Sequence, residues 1–293
     1  MGVGAVSELE PGAWRALERA HHDRVDMATR SYRSRRSLGM AHPVEDFLFT
    51  YYAHRPAQLR RWHPGAGVHL LEADERAGWS GYRYEGRAAF ADLKAFTATK
   101  GPRLGATRDL LAATAARPAR LGCFGLHEWA MVYHCGQDGT RHPSWPLRLG
   151  AEGTDAVVDR HALRCTHFDA YRFFTSAAEP LNSLAPRADT RVELEQPGCL
   201  HTTMDLYRLA FRLTPLVPST LVMDCFDLAR EVREVDMRAS PYDLRDLGYQ
   251  PIEVETAAGK AQYVAAQRAF AERGQPLRRR LIDACDRLLD AVC

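Results

Sequence analysis

Apolar side chains return at three- and four-residue intervals along much of this chain, which is the spacing of one buried helix face. The clearest run is Leu221, Cys225, Leu228, Val232 and Val235, with Ser219 as its cap and Pro241 beyond its end. Residues 200–213 read the same way and are halted before Pro215. Pro11 suits the first turn of a helix over 11–39, and Pro43 that of a helix carrying Val44, Phe47, Leu48, Tyr51 and Tyr52. Residues 87–100 and 107–116 predict two helices separated by Gly101-Pro102. Residues 124–135 predict another, and 260–272 and 276–292 a closing pair. Strand patterns are sparse: a short pair within 68–86 and one strand at 252–255. Residues 144–149 hold too much proline for an interior strand, and 157–174 fits either a strand or a helix. The expected fold is mainly α, a single large helical domain with a minor β component. Residues 1–40 would be its basic N-terminal helix and 41–293 a helical catalytic-type domain.

Composition adds limits rather than a direction. A chain of 293 residues can bury a large core, and 46% hydrophobic with 26% charged residues is a globular balance. The net charge of +2 neither demands nor excludes a polyanionic partner. Lysine occurs only at Lys94, Lys100 and Lys260, so the basic side is arginine. Arginine suits bidentate contacts to phosphate or carboxylate, although a GC-rich genome produces the same bias. The 7 cysteines include no C-x-x-C pair, which favours small core residues in a reduced, cytoplasmic protein. No run is long and apolar enough for a membrane span or a signal peptide, so no membrane partner is expected.

The chemistry concentrates between Phe124 and Asp243, in four runs: GLHEWAMVYH, CTHFDAYRFF, EQPGCLHTTMDLY and DMRASPYDL. Buried His, Asp and Glu are costly unless paired or bound, so these clusters suggest the wall of a site. His201 and Asp205 are four apart and share a helix face. Both could ligate one metal, Asp205 could orient His201 as a general base, or the two could form a plain structural pair. The rigid Gln196-Pro197-Gly198-Cys199 turn would fix where that helix starts. His127 and His134 share a helix face, with Glu128 turned about 100° from His127. Their spacing is not that of a zincin H-E-x-x-H. In a strand, Cys165, His167, Asp169 and Tyr171 lie on one side, whereas in a helix they diverge. Arg172 could pair with Asp169 or with an anionic substrate. Arg238 is either an anion clamp or part of a capped turn. His127, His167 and His201, with Glu128, Asp169 and Asp205, make a ligand set that iron, manganese or zinc would accept.

Five runs together resemble a bacterial family whose members commonly carry the name 3-methyladenine DNA glycosylase. They are HPVEDFLFTYYAHRPAQLRRWHPG, FGLHEWAMVYH, CTHFDAYRFFT, EQPGCLH with MDLY, and DMRASPYDL. The resemblance covers about residues 40–290. It implies a DNA-repair hydrolase that flips an alkylated purine out of duplex DNA and cleaves its N-glycosidic bond. Trp129, Trp145, Tyr171 and Phe173 could stack the base, and Asp169 or Asp205 could support the sugar or activate water. Arg30 to Arg36 and Arg60-Arg61 could hold phosphates. No helix-hairpin-helix segment with a following catalytic aspartate is present, so no catalytic residue carries over. The alternative is a metal-dependent enzyme of the non-haem iron type, acting on a small molecule through the His/Asp/Glu set. A helical binding module, with these clusters as core polar networks, is the third reading.

Overall fold

In the computed structural model, which describes residues 6–136, 139–140 and 142–291, the organising element is a helix with no exposed face along most of its length. This is α9 (Leu200–Arg212), in which every residue from Leu200 to Ala210 is buried. It packs against α10 (Ser219–Arg238) and α11 (Ala257–Asp290), and α4 (Leu93–Ala115) lies along α11. The remaining helices in chain order are α1 (Pro11–Ser37), α2 (Phe47–Thr50), α3 (Pro56–Leu59), α5 (Leu126–Ala130), α6 (Gly150–Asp159), α7 (Phe168–Tyr171) and α8 (Arg191–Leu194). The fold is mainly helical, with one small sheet. Its strands β1 (Ser7–Leu9), β2 (Val68–Leu71), β3 (Tyr82–Glu85) and β4 (Ala88–Ala91) lie in the order β1-β2-β4-β3. Beneath the sheet Trp14, Trp62, Leu70, Ala73 and Ala89 form a satellite core. Arg76 is fully buried there, with its guanidinium 3.8 Å from the Trp79 ring centroid and donating to the Trp62 carbonyl at 2.8 Å.

Several expected boundaries move, for identifiable reasons. Two helices expected on either side of Gly101-Pro102 are one helix, α4, and residues 88–91 before it are a strand. The closing pair is likewise one helix that runs through Pro276. In each case the buried face continues across the proline, and packing outweighs one lost backbone bond. The helix expected from Pro43 shrinks to α2, because residues 42–46 form a hydrogen-bonded turn. His42 Nδ1 accepts from the amides of Val44 and Glu45, and Asp46 accepts from the His42 amide at 2.8 Å. The strand expected at 252–255 is a buried loop, in which the Ile252 amide donates to the Arg238 carbonyl at 2.7 Å. Residues 157–174 split, with α6 ending at Asp159, an extended stretch to His167, and α7 after it.

Two glycines set the directions of the site-bearing segments. Gly125, at φ +72°, precedes α5, and a Cβ there would lie 3.2 Å from the Tyr263 ring and 3.3 Å from the Ala239 Cβ. Gly198 precedes α9, and a Cβ there would meet the Arg120 carbonyl oxygen at 2.6 Å. The Gln196 side chain pins that turn, its Oε1 accepting from the amides of Arg120 at 2.8 Å and Gly198 at 2.7 Å. Gly125→Ala is expected to lower the unfolding free energy by about 1–3 kcal/mol, through backbone strain and crowding together. A urea midpoint equal to that of the parent would show that the α5 entry adapts freely.

Candidate functional site

His127, His167 and His201 meet inside the protein although they come from three separate segments. The rings of His127 and His201 stand edge to face with centroids 4.5 Å apart, and His167 stacks on His201 at 5.4 Å. All three are buried. Gly125 and α5 deliver His127. The extended stretch before α7 delivers His167, and the Asn182 side chain holds that stretch by bonding both the amide and the carbonyl of Cys165. The first turn of α9 delivers His201.

Around these imidazoles lie two groups of acids. In the first, His127 Nε2 meets Asp236 Oδ1 at 3.0 Å, and Arg233 donates at 2.8 Å to both Asp236 and Glu128. In the second, His167 Nε2 meets Asp205 Oδ2 at 3.2 Å and lies 3.7 Å from Glu195. Arg191 bridges Glu195 and Asp205, Arg208 bridges Asp205 and Asp169, and the Tyr52 hydroxyl donates to Asp205 at 2.9 Å. Both groups bring possible ligand atoms within 4.8 Å of one another: His127, Glu128, His201 and Asp236 in one, His167, Glu195 and Asp205 in the other.

The two groups differ in what is already spent. Asp205 receives the Tyr52 hydroxyl on one oxygen and His167, Arg191 and Arg208 on the other, which makes it a poor metal ligand or base. Glu128 is bonded to described residues only through Oε1, as is Glu195 in the second group. His127 Nδ1 makes no hydrogen bond with a described residue. His201 makes none at either ring nitrogen, and its Nδ1 is fully buried. A buried imidazole with both nitrogens unspent needs a reason, since buried polar groups are nearly always bonded.

The electrostatics follow from this pairing. Burial, and then the neighbouring His127, push the His201 pKa well below the usual imidazole value, so it is neutral at pH 7. Burial would also depress His127, but the Asp236 charge and hydrogen bond outweigh it and hold His127 above the ordinary value. Burial disfavours ionised Asp236 and Asp205, yet His127 at the first and Arg208 at the second hold both carboxyls well below the usual range.

Two cavities open beside this cluster, and His201 lines both. One, of about 440 Å³, is bordered by His127, Cys123, Cys165, Cys199 and Gln196. The other, of about 320 Å³, is bordered by Glu128, Asp169, Arg233 and the aromatic side chains of Phe47, Tyr51 and Phe173.

The sequence-derived candidates scatter around this centre. Glu128, Asp169 and Phe173 line the smaller cavity, and Arg172 pairs with Asp169 at 3.2 Å. Trp129 is a correction: it is fully buried in the core, its indole donates to the Ala239 carbonyl, and it cannot stack on a ligand. Trp145 packs against the small core of Val44, Val132, Leu147, Met237, Tyr242 and Leu244, and Tyr171 against Phe174. Arg238 is no anion clamp, because it donates to the Gln250 carbonyl and pairs with Glu234, closing the end of α10. His134 does not share a face with His127, since α5 ends at Ala130 and His134 lies beyond it at φ +57°, beside Asp155. Asp205 bonds His167 rather than its helical neighbour His201. Asp236 and Arg233 were missed as site residues. Their signal was available, because the buried stripe of α10 contains both at i, i+3, a spacing that reads first as an ordinary helix pair.

Comparison with family models, with curated proteins and with solved structures finds no match to this chain.

The pairing carries a pH signature with a definite sign. Asp205 and Asp236 have depressed folded values, so their contribution is present above the ordinary carboxyl pKa of about 4 and is lost as pH falls below it. His201, also depressed, contributes above about 6.5 and loses that contribution on acidification. His127, raised, contributes below about 6.5 and loses it as pH rises through its folded value. Unfolding free energy should therefore fall steeply below about pH 4. Asp205→Asn should cost about 3–5 kcal/mol at pH 7, by leaving Arg191 and Arg208 short of charge, and should flatten the acid limb. Equal acid limbs for parent and variant in urea titrations would contradict this assignment.

Proposed function

We propose that the chain is a metal-dependent enzyme acting on a small molecule, with His127, His201 and Glu128 as the ligand set and Asp236 supporting His127. One observation carries the reading. His201 is buried and uncharged, neither ring nitrogen is bonded, and it sits between two cavities within ring contact of His127. Coordination would satisfy a nitrogen that no described residue satisfies. Two imidazoles and a carboxylate are a donor set that suits iron, manganese or zinc. A bound divalent ion supplies a Lewis acid that polarises a substrate oxygen or acidifies a water.

The protein's own side chains have separable tasks. Asp236 bonds His127 and so orients its ring. Arg233 balances the charge of Asp236 and Glu128, which lets two acids stand side by side in the interior. The second group, whose Asp205 is held by Arg191 and Arg208, sets His167 face-on against His201 and limits how that ring can turn. Phe47, Tyr51 and Phe173 offer apolar surface for the body of a substrate.

The test is elemental. Purified protein is expected to hold about one equivalent of iron, manganese or zinc. His201→Ala should lose it while remaining folded, and adding metal to the chelated parent, but not to the variant, should raise the melting temperature. Chelated parent whose melting temperature ignores all three ions would end the metal reading.

A second reading, removal of an alkylated purine from duplex DNA, has support of its own. The cavity of about 320 Å³ that Glu128 lines can take a purine base, and Arg30 and Arg36 on α1 are exposed with no ion pair to any described residue. Glu128, with an oxygen unspent, would be the acid facing the sugar. This reading expects free 3-methyladenine from alkylated duplex, released equally well after chelation. No release with folded protein in excess would exclude it.

A further inference from the structure

At the opposite end of α9 from His201, about 15 Å along the helix, α9 and α4 enclose a separate cavity of about 580 Å³. Its floor is apolar, made by Phe96, Leu104, Leu110 and Leu213, all buried. Its polar lining is cationic, with Lys100, Arg103, Arg191 and Arg212, and no acidic residue is among the side chains that line it. Arg191 is spent on Glu195 and Asp205. Lys100, Arg103 and Arg212 are different: none forms an ion pair with a described residue, and Lys100 has only the face of Phe96, at 4.9 Å. His54 closes one side. It stacks on Phe211 at 3.8 Å, and its Nδ1 is buried without a hydrogen-bond partner.

Several arginines elsewhere are held by acids of the chain itself. Arg24, Arg35, Arg208 and Arg233 each meet two carboxylates. Burial and then Arg208 depress the Arg212 pKa, so a further anion would be welcome at that position. Two guanidinium forks and an ammonium around one recess match a phosphate group better than a carboxylate, which offers fewer oxygens and less charge. The apolar floor beneath them asks for more than a bare ion.

We propose that this cavity binds a small organic phosphate, its phosphate held by Lys100, Arg103 and Arg212 and its apolar body on the floor of Phe96, Leu104 and Leu213. The site is independent of the metal centre, and it stands whether or not that reading survives. A phosphate could also come from a DNA backbone, which would engage the rim and leave the floor uncovered.

Calorimetric titration of the chelated full chain with phenyl phosphate, inorganic phosphate, phenol and a short duplex separates these sources. Phenyl phosphate should bind saturably, with inorganic phosphate at least tenfold weaker and phenol undetectable. The exposed double substitution Arg103→Ala/Arg212→Ala should weaken phenyl phosphate at least tenfold. Arg187→Ala, exposed and paired with Asp189, should leave it unchanged. Binding of phenyl phosphate that the double variant retains, or its absence in the parent, overturns the proposal. So does inorganic phosphate as tight as phenyl phosphate, or duplex bound in preference to it through the same arginines.

Discussion

Two carboxylates buried on adjacent helices, Asp205 on α9 and Asp236 on α10, impose the constraint that shapes the interior. An unpaired charge there costs several kcal/mol, so each must be met wherever the chain can reach. The protein meets them with the same device twice. Each acid has an arginine three residues away on its own helix, Arg208 for Asp205 and Arg233 for Asp236. Each also has an imidazole from a distant segment, His167 and His127, and a glutamate close by, Glu195 and Glu128. The short helix α5 and the segment leading into α7 are thereby fastened to long helices. The geometry of the candidate centre is a consequence of paying for buried charge.

The two arrangements differ in a way that separates rigidity from reactivity. Around Asp205 the donors outnumber the oxygens, so that carboxylate has no oxygen left for a ligand, although His167 Nδ1 there is buried without a hydrogen bond. Around Asp236 a glutamate oxygen, one nitrogen of His127 and both of His201 remain unspent. The Asp205 group lies against the Asp236 group through the stacked His167 and His201 rings. A site needs groups held in place by neighbours that are themselves fixed, and this arrangement supplies such a backing.

How much of this was legible in the sequence depends on the range of the interaction. The helix over 200–212, its stop before Pro215 and the stripe on α10 are local patterns, and they stand in the structure nearly as read, except that Ser219 is the first residue of α10 rather than its cap and its hydroxyl accepts from the His63 amide. Pro102 and Pro276 misled because local punctuation there was outweighed by packing of α4 on α11, which no window of sequence displays. The cost of burying histidine beside acid pointed to the right stretch of chain, and His127, His167 and His201 do meet. Their partners could not be paired from spacing. The pattern placed Asp205 with His201, four residues away, whereas the bond runs to His167 across 38 residues. Aromatic residues were the least legible, since Trp129 and Phe173 look alike in sequence and differ only in whether a cavity reaches them.

Arginine usage, read from composition alone, says little, because genome bias explains it as well as chemistry does. The contacts change that. Arg191, Arg208 and Arg233 each span two carboxylates at the centre, and Arg35 and Arg24 do the same near the surface. A planar fork with five donors can bridge two acids held at fixed positions, whereas a lysine ammonium is a compact, strongly hydrated point charge that is harder to strip of water. The interior therefore requires arginine at these positions whatever the cause of the overall bias. Arg103 and Arg212 are placed differently. Both are exposed at the mouth of a recess whose lining holds no acid, and the proposed phosphate site rests on that placement.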